Sequence, residues 1–403
     1  MTRPVITGLG VTAPTGCTVE SHWQAVLDGK SGIDHITRFD TTDYPVKLAG
    51  QVRDFDASEK VSSRLLRETD LMTHFAFVAT QEALADADID TTQWQDFELS
   101  VVTANSSAGA QFGQSELQKL YAMGPKAVGA YMAIAWFYAA TTGQLSIRHG
   151  MRGPCGVLAT EQAGGLDSLG HSRRALQKGA RVVVAGGSDA SLTPYGVVAQ
   201  SANGLLTRSG NLSRAFVPFD AEAAGYVPGE GGAIVVVEDG DSARQRGARV
   251  HVELAGYAAT FDPRPGSDRE PGLRRAAELA IRDAGLRPDE IDVVFADGYG
   301  VPRLDREEAQ ALAALFGPRG VPVTVPKTMT GRLYAGGAAL DVVNAILAVR
   351  DSVVPPTVHV EELAPGIALD LVRAPRELTV RHALVLARGY GGFNAAVVLS
   401  AVR

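Results

Sequence analysis

Phe75–Ala87 (FAFVATQEALADA) carries apolar residues at helical spacing, passes through a short polar link, and gives way to the apolar run Leu99–Thr103 (LSVVT). The same order recurs in the second half. Leu273–Ala284 (LRRAAELAIRDA) is an amphipathic helix pattern, GLRPDEI is the link, and Asp292–Ala296 (DVVFA) is the following strand. Outward from these two units, each half closes alike. Arg181–Ala185 (RVVVA) runs into a glycine turn before Gly232–Glu238 (GAIVVVE), and Ala383–Ala387 (ALVLA) runs into Gly389–Gly392 before Ala395–Leu399 (AAVVL). Continuous Val/Ile runs suit strands buried on both faces. Their alternation with helices predicts a layered α/β protein, with halves at 1–245 and 246–403. The join, Asp239–Gly247, is not a flexible linker, because strand character resumes at Val250–Leu254.

The 403 residues carry a net charge of −7, with 45% hydrophobic and 21% charged residues. Area scaling then buries about three quarters of the unfolded surface, so a large core is available. Global disorder, which needs low hydrophobicity, is excluded. An acidic balance with no long Lys/Arg run argues against a general nucleic-acid binder, because phosphates need a basic surface. Pro4–Thr7 reads as strand and not as a charged leader, and the most apolar stretch, Gly129–Ala140 (GAYMAIAWFYAA), is too short to span a bilayer. A cytoplasmic location is expected. Cys17 and Cys155 make no disulfide framework, and no His or Cys pair has metal-ligand spacing. Gly8–Ala13 (GLGVTA) fits a dinucleotide fingerprint loosely, but Pro14 and Gly16 stand where its helix should open. Neither a metal nor a cofactor is expected.

Ala159–Ala175 (ATEQAGGLDSLGHSRRA) places Gln162 at the start of a helix whose Leu166, Leu169 and Leu176 share one face. A helix start gathers N–H donors and partial positive charge, which favours a thiolate or a developing anion. A nucleophilic Cys belongs there, and glutamine cannot replace it. Taken alone, the segment reads as an ordinary capped helix, with His171 structural or on the surface.

Gln162-Ala163-Gly164-Gly165-Leu166-Asp167 nevertheless resembles the nucleophile segment of the β-ketoacyl synthases of the thiolase superfamily, in which Cys precedes small residues and Gly-Leu-Asp. The glutamine form is characteristic of the chain-length factors, the ketosynthase β subunits of bacterial type II aromatic polyketide synthases. The resemblance covers essentially the whole chain. It implies a thiolase-type duplicated αβαβα fold with mixed five-stranded sheets. Asp297, in Ala296–Gly300 (ADGYG), stands in the position of the family's first catalytic His. Arg332, in Lys327–Arg332 (KTMTGR), stands in that of the second. A carboxylate offers no N–H to an enolate, and a guanidinium is no base at neutral pH. The chain is therefore expected to be non-catalytic on its own. Lys327, Asp305 and Glu308 match positions that support the site. Gly389–Asn394 (GYGGFN), with Tyr390, resembles a glycine-rich gate loop.

The resemblance further implies a heterodimer with a catalytic ketosynthase α, malonyl units delivered by an acyl carrier protein, and a poly-β-ketone growing by decarboxylative Claisen condensation into an interface tunnel. The segment from about 105 to 150 supplies the interface, with Tyr131–Ala140 as its apolar part. A helix matching Ala108–Met123 closes the tunnel. There Ala110, Gly113 and Leu117 follow i, i+3, i+7, and Val197 stands where some relatives have an aromatic residue. Small residues at these positions imply a long product, a decaketide or beyond. Gln162 either assists decarboxylation of malonyl through its amide or fills the former pocket and satisfies buried amides. Two alternatives remain. One is an autonomous acyltransferase using Cys155 or Cys17, although a buried, inert Cys155 is the commoner case. The other is a structural or ligand-binding homodimer.

Overall fold

The apolar runs become strands of one sheet in the computed structural model, which describes residues 3–264 and 266–402. Its eleven strands are β1 (Pro4–Thr12), β2 (Leu99–Ala104), β3 (Gly156–Leu158), β4 (Val182–Asp189), β5 (Gly231–Asp239), β6 (Val252–Phe261), β7 (Val293–Phe295), β8 (Pro322–Thr324), β9 (Asp370–Leu371), β10 (His382–Gly389) and β11 (Phe393–Ala401). Their order is β9-β8-β7-β10-β11-β6-β1-β5-β4-β2-β3. Five strands of the first half and five of the second thus share one order. In each half the second strand pairs in parallel with the third and fourth, and the fifth pairs antiparallel with the fourth and first. The expected five-stranded sheets are fused through a short antiparallel contact, Val5 with Glu253 and Ile6 with Val252. The pairing satisfies two edges that would otherwise stand open. β9 extends the far edge.

Helices α1 (Leu71–Asp86), α3 (Gly164–Gln177), α4 (Leu273–Asp283), α5 (Pro302–Phe316) and α6 (Ala335–Asp351) cover and divide this sheet, and α2 (Ala110–Met123) packs beside it on other helical segments. Alternation along the strands sorts their side chains into layers. Val182, Val184, Ile234 and Val236 meet α1 through Ala76 and Val78. Val183, Val235 and Val237 instead share a central core with Leu166 and Leu169 of α3, Leu340 and Val343 of α6, and Val385 and Val397 of the second half. Leu384, Leu386 and Val398 meet α4 and α5 on the other outer face. The result is an αβαβα stack. α3 and α6 cross so closely that a Cβ on Gly165 would lie 2.5 Å from the Ala339 nitrogen. The join between the halves is a short helix, Gly240–Gln245, capped by the Asp239 carboxylate. No helix among the described residues is long and apolar enough to cross a membrane.

Candidate functional site

Gln162 lies in a 3₁₀ turn, Glu161–Ala163, that runs directly into α3. Its side chain is fully buried, and neither amide atom has a hydrogen-bond partner among the described residues. It packs against the first turn of α6, where a Cβ on Gly337 would lie 2.8 Å from the Gln162 Oε1. Gln162 therefore fills its pocket, but it does not satisfy buried amides as one reading expected. An unpaired buried amide costs about 1–3 kcal/mol.

Asp297 and Arg332 lie in the loops after β7 and β8, and the fold brings them together. The Arg332 Nη1 donates to both Asp297 oxygens at 3.1 and 3.2 Å, while its Nη2 donates to the Arg388 carbonyl at 2.9 Å. Its guanidinium stacks on Tyr299, 3.9 Å from the ring centroid. Arg388, at the end of β10, closes the other side. Its Nε reaches Asp297 at 3.2 Å and its Nη2 reaches Glu308 at 2.9 Å. Burial opposes ionisation of Asp297, but the Arg332, Arg388 and Lys327 charges outweigh it and hold the carboxyl below its ordinary range. Burial likewise opposes the Arg332 charge, and Asp297 outweighs it, so the guanidinium holds its proton more tightly than usual. Both groups are locked in their charged forms by each other.

The three supporting residues act through the backbone and through ion pairs. Glu308 accepts the Asp297 and Gly298 N–H groups at 2.8 and 2.9 Å. Asp305 accepts those of Phe219 and Gly300 at 2.9 and 3.0 Å. Burial raises the Glu308 pKa and pushes Asp305 up to about 7. Lys327 donates to the Ala296 carbonyl at 2.8 Å and pairs with Asp341 of α6 at 2.7 Å. Arg388 and Asp341 were not singled out from sequence. A charged residue closing the apolar run ALVLA was the available signal for Arg388.

Above this network opens a cleft of about 430 Å³ lined by Glu161, Tyr226, Tyr334, Tyr390, Asn203 and Phe393, among others. Tyr390 lies exposed on the glycine loop, and its N–H donates to the Glu161 carboxylate at 3.0 Å. Glu161 adopts φ +52°, costly for a residue with a Cβ. Burial raises its pKa against the pull of Arg332. This residue too was missed from sequence.

The four residues expected to line a tunnel divide into two groups. Ala110 opens α2, and Gly113 is buried on it, where an added Cβ would face Trp136 at 3.7 Å and Met132 at 4.0 Å. Leu117, one turn further, is 45% exposed. Val197 is fully buried in a separate cluster with Leu192, Phe216 and Tyr226. The helices bearing the two groups touch where the Tyr195 N–H donates to the Gln114 side chain at 2.8 Å. Around α2 the large apolar side chains Leu117, Tyr121, Ile134, Trp136, Phe137 and Tyr195 all stand exposed. Among the described residues β3 is the last strand at its end of the sheet.

The cysteines correct an expectation. Cys155 is exposed, not buried, because it lies in the loop leading into the edge strand β3. Its thiol has the Met151 carbonyl at 3.9 Å, an acceptor that takes no proton. Cys17 is half-buried, and burial raises its pKa, away from the thiolate. His171 is half-buried on α3.

A model of the beta-ketoacyl synthase N-terminal domain matches residues 1–243, and one of the C-terminal domain matches residues 251–361. The chain is 55% identical over 398 residues to the tetracenomycin polyketide synthase ketoacyl synthase beta subunit of Streptomyces glaucescens, covering 98% of this chain and 97% of that one. It is similar to the solved ishigamide ketosynthase/chain length factor, with a TM-score of 0.91 and 27% identity over 100% of both chains. A second solved structure, AntDE:AntF, is a type II acyl-carrier protein in complex with its ketosynthase bound to the hexaketide. It matches with a TM-score of 0.88 and 26% identity, again over 100% of both chains.

Proposed function

The chain belongs to the beta-ketoacyl synthase family, and we propose that within it the chain is the non-catalytic, chain-length-determining subunit of a type II polyketide synthase, paired with a catalytic ketosynthase α. The observation that carries the reading is the locked ion pair beside Gln162. Condensation needs a nucleophile and a group that takes or gives a proton. The Gln162 amide is no nucleophile, the Arg332 guanidinium keeps its proton, and the Asp297 carboxylate is taken up by guanidinium donors from two arginines.

The partner then supplies Cys and His. Its thiol carries the growing chain as a thioester. Malonyl on the carrier protein loses carbon dioxide, and the resulting carbanion attacks the thioester carbonyl, extending the chain by two carbons and freeing the thiol. This chain supplies walls. The apolar surface around α2 and the open edge of β3 support a large partner interface, since an uncovered patch of that kind is a liability in a lone chain. Ala110, Gly113, Leu117 and Val197 set how far the product extends, and their small or medium size supports a decaketide or longer chain. The units 1–245 and 246–403, with the interface segment in the first, make up a cytoplasmic assembly without cofactor.

Co-expression with the partner ketosynthase tests the reading. One copy of each chain should co-purify and make polyketide from malonyl-loaded carrier protein, and neither chain should do so alone. Activity of this chain by itself would favour an acyltransferase using Cys155 or Cys17. Self-association that ignores the partner would favour the homodimer.

A further inference from the structure

Helix α2 begins without a side-chain cap of its own, because its N-cap position is Gly109. The first turn of a helix leaves N–H groups that need acceptors. One comes from another helix. The Asp70 Oδ2 accepts the Phe112 N–H at 2.7 Å, while its Oδ1 accepts the Met72 N–H at 3.0 Å and so caps α1. A single carboxylate, 2% exposed, therefore caps two helices and fixes one against the other.

The loop leading into α2 is fixed by a second buried carboxylate. The Asp189 Oδ1 accepts the Ser107 N–H at 2.8 Å, the Ser107 hydroxyl at 2.7 Å and the Asn105 amide at 2.8 Å. The Ser106 N–H lies at 3.1 and 3.2 Å from its two oxygens. The Asp189 Oδ2 also accepts the Ala335 N–H at 3.1 Å, at the start of α6, the helix that packs on Gln162. Between Asp189 and α2 the chain has no slack. Ala108 is held at φ +52°, and a Cβ on Gly109 would lie 2.1 Å from the Ala135 carbonyl oxygen.

We propose that Asp70 and Asp189 are positioning residues for product length: they set the depth at which α2 presents Ala110 and Gly113 to the growing chain, and Asp189 ties that depth to the helix behind the former nucleophile position. This rests on the reading of α2 as a tunnel wall. A buried carboxyl group that accepts from several donors is stiff, and small displacements of a wall change how a chain fits.

The test uses the assembled complex with its ketosynthase α and malonyl-loaded carrier protein, and reads the product-length distribution by mass spectrometry per mole of complex. Asp70→Ser keeps a hydroxyl to cap α1 but removes the oxygen that reaches Phe112. Asp189→Asn keeps the shape but replaces one acceptor by a donor. In both, the share of the main product should fall about threefold, with neighbouring lengths gaining, as expected when a supporting group is lost and a wall is loosened. Gly113→Phe serves as the control for the wall itself. If Gly113→Phe shifts the distribution and neither Asp variant does, the inference fails and the tunnel reading stands. If Gly113→Phe shifts nothing, the tunnel reading fails and takes the inference with it. If Asp70→Ser no longer pairs with the partner at all, the bond serves assembly and not length, which also overturns the inference.

Discussion

Asp297 and Arg332 face each other as an ion pair, with the Arg332 Nη1 3.1 and 3.2 Å from the two carboxylate oxygens and no solvent access to either side chain beyond 2%. In the reading proposed above, they stand at the two positions where the β-ketoacyl synthases carry histidines. The two replacements are therefore one replacement, in which each charge is tolerable only because the other is present. Removing one partner of a buried pair typically costs about 3–5 kcal/mol. Asp297→Ala should lose stability of that order, since it leaves the buried Arg332 without its carboxylate and Arg388 with Glu308 alone. Replacing both residues together should cost less than the sum of the two single changes. Urea unfolding of the four chains in a double-mutant cycle measures the coupling, and additive losses would contradict the pairing.

The unpartnered amide of Gln162 leads to a prediction of opposite sign. Gln162→Met keeps the volume against Gly337 and removes two buried polar atoms without partners. Stability should stay level or rise by about 1 kcal/mol, because no hydrogen bond is lost. A thermal scan of the two chains decides it. If priming by malonyl falls in this variant while assembly holds, the amide takes part in decarboxylation instead.

Buried carboxylates give the stability a pH dependence. Burial pushes Asp305 up to about 7, well above its unfolded range near 4. A raised folded pKa means that the native state binds a proton the unfolded chain has released. The contribution is fully present below about pH 4 and is lost as pH rises toward 7. Asp305→Asn, which cannot titrate, should flatten the slope of unfolding free energy over that window by up to about 1.4 kcal/mol per pH unit. Denaturation at several pH values, with and without the substitution, reads the difference. An unchanged slope would place the Asp305 proton elsewhere.

On the tunnel side, Gly113→Phe should shorten the product. A Cβ at Gly113 would meet Trp136 at 3.7 Å, ordinary van der Waals distance, so a side chain can start there without moving the backbone. Ala110→Phe should act in the same direction. Trp136→Asp places a charge within the exposed apolar patch and should weaken pairing with the ketosynthase α at least tenfold, about 1.4 kcal/mol. Product mass and a pull-down, respectively, check these expectations.

Much of this was legible in the sequence, for identifiable reasons. The helix-and-strand unit at Phe75–Thr103 and its counterpart at Leu273–Ala296 announced the duplication, because apolar periodicity is a local property. The fused sheet was not legible, since the contact of Val5 and Ile6 with Val252 and Glu253 joins edges whose openness is settled only by the whole topology. Gln162, Asp297 and Arg332 were singled out from their motifs, but the pairing of Asp297 with Arg332 was not, because it depends on where two loops meet. Arg388 and Glu161 escaped notice because each contributes through a partner far along the chain, Asp297 in one case and Tyr390 in the other. Cys155 was misjudged because burial follows from neighbours, and an edge strand has few. Asp70 and Asp189 carry no motif, and only the donors gathered around them mark them out.

In the proposed function this chain shapes the product and leaves the chemistry to its partner. Intact-mass spectrometry of the co-purified complex after incubation with malonyl-loaded carrier protein tests it most directly. Acyl mass should appear on the ketosynthase α alone, in a complex of one chain each, and this chain should keep its unmodified mass. An acyl adduct on this chain would contradict the account, and peptide mapping of that adduct would identify the nucleophile.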